Sequence, residues 1–118
     1  MHKFDLEAEY ARMGLPNKEW NTSTINQNYE ICDTYPNLVY TPSSASKAIL
    51  QASASFRSRG RLPVLSYLHH NGASLSRCSQ PLAGFSARCI EDEQLLDCIL
   101  KTNKKSSFMY IVDTRPKV

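Results

Sequence analysis

The stretch Leu62–Ser79, "LPVLSYLHHNGASLSRCS", decides how the chain is read. Its first arm, "LPVLSYLH" from Leu62 to His69, is a mostly apolar run of strand length, the pattern of a strand buried on both faces. Asn71-Gly72 follows, a dipeptide that takes up the left-handed backbone a tight turn requires. "ASLSRCS" then returns with the alternation of a second arm that has one packed face. A hairpin of this kind needs helices over it.

The segments on either side supply some. On the amino-terminal side, "ASKAILQASA" reads as a helix of small residues capped by Ser43 or Ser44. Before it, Pro16 to Pro42 is rich in Asn, Thr, Tyr and Pro and reads as irregular chain around short extended pieces, its tyrosines being packing residues with polar ends rather than a cofactor box. Asp5 to Met13 spaces Leu6, Tyr10 and Met13 helically, with Gly14 and Pro16 as the stop. On the carboxyl-terminal side, Pro81 and Gly84 break the chain. Glu91, Asp92 and Glu93 then open the clearest helix, "EDEQLLDCILKTN", in which Leu95 with Ile99 and Leu96 with Leu100 form an apolar stripe. The acids at its start and Lys101, Lys104 and Lys105 at its end suit the helix dipole. "FMYIVD", Phe108 to Asp113, reads as another buried strand. The order indicates an α/β layer with an incomplete sheet, because two apolar strands call for helices on both faces and few are present.

The 118 residues make one domain at most. Hydrophobic residues at 42% and charged residues at 21% exclude a disordered tail and a membrane-spanning protein. A start with acidic residues, "MHKFDLEAEY", does not resemble a secretory leader, so a cytoplasmic location is expected. A net charge of +3 is mild and dispersed, which argues against a nucleic-acid partner. The local exception is "FRSRGR", whose Arg57, Arg59 and Arg61 have no acid among them; they are either candidates for binding an anion or a solvated turn.

Cys32, Cys78, Cys89 and Cys98 form no Cys-x-x-Cys pair, so zinc and redox motifs are absent and reduced thiols are expected. His69 and His70, as neighbours on a strand, would point to opposite faces and could not easily hold one metal together. No metal site and no cofactor is expected. The cluster of Cys78 and Cys89 with Arg77 and Arg88 invites the question of a thiolate nucleophile. The residues alone leave that question open, since none of the four cysteines lies in a pattern that identifies a nucleophile by itself.

"RMGLPNKEW", "YEICDTYP", "ASFRSRGRLPVLSYLHHN", "SLSRCSQPLAGFSARCIEDEQLL" and "MYIVDTRPK" follow one another from about Tyr10 to Lys117. In order and spacing they resemble the myotubularin-related family of phosphoinositide phosphatases. The resemblance implies an incomplete sheet like that of protein tyrosine phosphatases with flanking helices. It also implies that residues 1–118 are an amino-terminal portion of a larger catalytic domain whose Cys-x5-Arg loop lies beyond Val118. The whole would remove the 3-phosphate from phosphatidylinositol 3-phosphate and the 3,5-bisphosphate. In such a family the loop amides and the arginine six residues after the thiolate hold the phosphoryl oxygens. Leu38, Gly84, Leu95 and Lys104 stand at those positions here, so the resemblance implies that this chain alone is inactive, with no catalytic residue and with Cys78 and Cys89 as small buried or turn residues. The family also implies a phosphoinositide membrane surface as partner, pairing with itself or another myotubularin, and a cytoplasmic place at endosomal membranes. The other reading is a non-catalytic module that pairs with a myotubularin or touches anionic lipid. An isolated chain with open strand edges is expected to be marginally stable or prone to aggregate.

Overall fold

A computed structural model describes residues 5–82 and 88–116. The break assigned to Gly84 lies outside the described residues. Helix α1 runs Leu6–Arg12, with Asp5 as its cap: the Asp5 carboxylate accepts the Ala8 N–H at 3.1 Å. It ends at Gly14, whose φ of +86° is the left-handed backbone that suits glycine. Strands β1, Trp20–Ser23, and β2, Val39–Pro42, form an antiparallel pair with Trp20 opposite Pro42 and Ser23 opposite Val39. These are the short extended pieces expected between Pro16 and Pro42.

Helix α2, Lys47–Phe56, is capped by Ser46 and not by Ser43 or Ser44; the Ile49 N–H donates to the Ser46 hydroxyl at 3.2 Å. The two earlier serines lie in a turn closed by the Ala45 N–H on the Pro42 carbonyl. Strands β3, Val64–Leu68, and β4, Ser74–Arg77, make the expected hairpin around Asn71-Gly72. Gly72 has φ +92° and donates its N–H to the His69 carbonyl.

The hairpin is less buried than its sequence suggests. Register shifts between Leu65 and Tyr67, so Ser66 is an extra residue on β3. A bulge of one residue exchanges the faces of everything after it. Val64 and Leu65 are buried, whereas Tyr67 and its partner Leu75 face solvent. Serines, not Leu75, occupy the more covered face of β4.

Helix α3, Ile90–Thr102, buries Leu95 and Ile99 as its stripe requires, with Leu96 partly covered. It packs on α2 and β2, and β2 packs on β3. Trp20, Leu62, Leu65 and Leu95 lie at the centre with almost no exposure. Burying a leucine fully contributes about 1.5–3 kcal/mol, so these few side chains dominate cohesion. Of the tyrosines expected to pack between Pro16 and Pro42, Tyr35 and Tyr40 do and Tyr29 is exposed; with Tyr10 from α1, they tie the layers. Tyr10 of α1 stacks on Tyr40 of β2 with ring centroids 4.4 Å apart and donates its hydroxyl to the Leu65 carbonyl at 2.7 Å. Tyr35 shares its hydroxyl between the carbonyls of Leu62 and Arg77, and burial raises its pKa.

Phe108–Asp113 is not a strand. Phe108, Tyr110, Ile111 and Val112 are exposed and only Met109 touches the core. The described residues therefore form a small α/β unit of two two-stranded antiparallel sheets and three helices. No described helix is long and apolar enough to cross a membrane.

Candidate functional site

The arginine cluster sits where α2 ends. Arg57 caps the helix in extended conformation, and Ser58–Gly60 follow as a 3₁₀ turn with Arg59 at φ +57° and Gly60 at φ +70°. Glycine is required at 60 for space as well as for backbone angle, since a Cβ there would stand 2.2 Å from the Ile31 carbonyl oxygen. The Arg57 backbone pairs with Pro81, and the Ser58 N–H donates to the Gln80 carbonyl. This winding sends the three side chains to different places.

Arg57 turns inward. Its Nε donates to Asp92 Oδ1 at 2.9 Å and its Nη2 to Asp92 Oδ2 at 2.6 Å, a bidentate pair with side chains only 10% and 4% exposed. Nη1 donates to the Ser79 carbonyl at 3.0 Å and meets the Cys78 sulfur at 3.5 Å. The Ser53 hydroxyl adds a third hydrogen bond to Asp92, at 2.6 Å. Burial alone would lower the Arg57 pKa; the hydrogen bonds and charge of Asp92 outweigh it and leave it raised. The cluster joins the end of α2, the start of α3 and the chain leaving β4. Arg61 is half-buried and donates from Nε to the Thr34 hydroxyl at 2.8 Å, while Arg59 is exposed. The three guanidinium groups therefore do not converge on one point.

Asp92 stood in the sequence as one of three dipole-compensating acids, and its burial was not foreseen. Spacing held a faint signal: Asp92, Leu95 and Ile99 share one helical stripe, which places the carboxylate in line with the core. Asn26 was missed outright. It is fully buried, its amide nitrogen donating towards the carbonyls of Cys32, Tyr35 and Pro36 while its oxygen accepts the N–H groups of Ile31 and Cys32. Nothing in an Asn-rich loop sets it apart.

All four cysteines are free thiols. Cys32 is buried, Cys89 and Cys98 are half-buried, and Cys78 is exposed in extended chain after β4, neither buried nor in a turn. The residue as a whole is exposed, but its sulfur lies against Arg57, and desolvation there pushes the Cys78 thiol up, against the pull of that guanidinium. A thiol with a raised pKa is a poor nucleophile near neutrality. Cys98 and Arg88 line an open groove of about 470 Å³, but Cys98 lies in the middle of α3, where amides serve the helix and cannot cradle a phosphoryl group. The rings of His69 and His70 are 4.1 Å apart, not on opposite faces, because β3 ends at Leu68 and the pair rides on the turn. Among the described residues, no three His, Cys, Asp or Glu gather as metal ligands.

All of residues 1–118 match the family of the myotubularin-like phosphatase domain, and the chain belongs to that family. It is 56% identical over 115 residues to phosphatidylinositol-3,5-bisphosphate 3-phosphatase MTMR8 of Gallus gallus, covering 97% of this chain and 18% of that protein. Phosphatidylinositol-3-phosphate phosphatase MTMR7 of Homo sapiens is also 56% identical over 115 residues, with 97% and 17% covered. The worm Caenorhabditis elegans has a phosphatidylinositol-3,5-bisphosphate 3-phosphatase, MTMR6, that is 50% identical over 117 residues, with 98% and 17% covered. The chain thus spans less than a fifth of the length of these relatives.

Proposed function

We propose that these residues are the amino-terminal portion of a phosphoinositide 3-phosphatase domain, in which they frame the catalytic loop without supplying the nucleophile. The observation that carries this is a pairing of facts: relatives named for that reaction match 97% of the chain, and no cysteine in it has an arginine six residues on. The substrate class is phosphatidylinositol phosphorylated at the 3-position. In the complete domain, Phe108–Asp113 enters a larger sheet of the tyrosine-phosphatase kind, which gives cover to Tyr110, Ile111 and Val112. The buried Arg57–Asp92 pair holds α2, α3 and the chain after β4 in the relation that sheet needs.

Arg59, displayed on the surface, and half-buried Arg61, held by Thr34, carry the anion-binding reading; Arg57 would join them only by leaving Asp92. Their expected ligand is the headgroup of an anionic membrane surface, and the protein would act at such a surface. Pairing with another myotubularin belongs to the same proposal and needs the rest of the domain.

A chimera tests the catalytic reading. This chain is substituted for the corresponding residues of the Gallus gallus relative and release of the 3-phosphate is measured. Retained turnover in a chimera that melts cooperatively is expected. A folded chimera without turnover contradicts the reading.

A further inference from the structure

Past the end of α3 the chain reads Lys104-Lys105-Ser106-Ser107-Phe108, and the function proposed above makes no use of it. Ser107 has lysines three and two residues before it and an apolar residue directly after. Protein kinases that select basic substrates do so through acidic subsites for those upstream positions and an apolar subsite for the next residue, the charge-pattern logic of kinase specificity. They also need the substrate segment exposed and free to extend. Lys104, Lys105, Ser107 and Phe108 are all exposed, and the chain from 107 to 112 belongs to no helix or strand. Lys104 approaches Glu19 at 3.7 Å across the surface, a loose pair between exposed groups that a kinase can displace.

Two other described serines near basic residues are less suited. Ser79 has Arg77 two residues before it, but its hydroxyl donates to the Ser58 carbonyl at 2.7 Å and the residue is half-buried. Ser106 turns back on itself, donating to the Phe108 carbonyl at 2.8 Å, and has a polar residue after it.

We propose that Ser107 is a phosphorylation site for a basic-directed protein kinase, recognised through Lys104, Lys105 and Phe108. In the reaction the Ser107 oxygen attacks the γ-phosphorus of ATP. The new bond is Oγ–P, the bond to the bridging oxygen breaks, ADP leaves, and the hydroxyl proton passes to the kinase's general base. The product is a phosphate of nearly two negative charges beside Phe108. That charge opposes transfer of residues 108–112 into an apolar sheet, a consequence that rests on the domain reading above; the site itself does not.

The test uses the folded 118-residue chain, ATP and the catalytic subunit of cyclic-AMP-dependent kinase, with fragment mass mapping of the product. A single phosphoryl group on Ser107 is expected, absent in S107A, with the rate falling roughly tenfold or more in K104A/K105A. Both lysines are exposed, so an unchanged melting curve shows that the double variant is folded. Labelling that maps to another serine, that proceeds unchanged in K104A/K105A, or that appears only after unfolding overturns the proposal, as does no labelling at all.

Discussion

Asp92 stands between Glu91 and Glu93 in the first turn of α3, yet it alone points inward to Arg57 and Ser53. Replacing Asp92 with alanine leaves a buried guanidinium without its counter-charge, and a loss of about 3–5 kcal/mol is expected. Urea unfolding should show it, and also a smaller loss when Arg57, Asp92 and Ser53 become Met, Leu and Ala together, since no uncompensated charge then remains. Asn26 gives an isosteric test. In Asn26→Asp a carboxylate oxygen faces three carbonyls where an amide donated, so a cost of about 3 kcal/mol or more is expected from the same measurement. Asp113 supplies a pH marker. The side-chain hydrogen bonds of Arg115 first, and its backbone N–H second, hold the Asp113 carboxyl down at about 2. Because this pKa is depressed, the clasp is complete above the ordinary carboxylate range and is lost as pH falls towards 2. Carboxyl NMR titration should place the midpoint there, with a return towards the usual value near 3.9 in Arg115→Gln.

At the scale of elements, the helices and the β3–β4 hairpin were legible in the sequence because periodicity and Asn71-Gly72 are local signals, whereas the cap of α2 was misplaced among neighbouring serines. Two things were not legible. The bulge at Ser66 has no mark in composition, and it is what turns Tyr67 and Leu75 outward. Phe108–Asp113 has the apolar, β-branched character of a buried strand, but strand formation needs a neighbouring edge, and among the described residues none pairs with it. The arginine cluster was visible in "FRSRGR", but its division was not, because the inward turn of Arg57 depends on a carboxylate thirty-five positions away. Exposure of the last segment predicts a contrast. Ile111→Lys and Val112→Lys should change unfolding free energy by no more than about 0.5 kcal/mol while suppressing aggregation on light scattering. Leu95→Ala, at the centre, should cost about 2–5 kcal/mol.

For the whole molecule, the family match and the absence of an attacking loop point the same way. Tyr10, Tyr35, Trp20 and the Arg57–Asp92 pair organise a framework, and no cysteine of the 118 residues has an arginine six residues on, as the proposed function requires. The most direct test is phosphate release from vesicles carrying phosphatidylinositol 3-phosphate, with the purified 118-residue chain under reducing conditions. Release no greater than that from vesicles alone is predicted. Sustained turnover that disappears when one of Cys32, Cys78, Cys89 or Cys98 is replaced by serine would contradict the account.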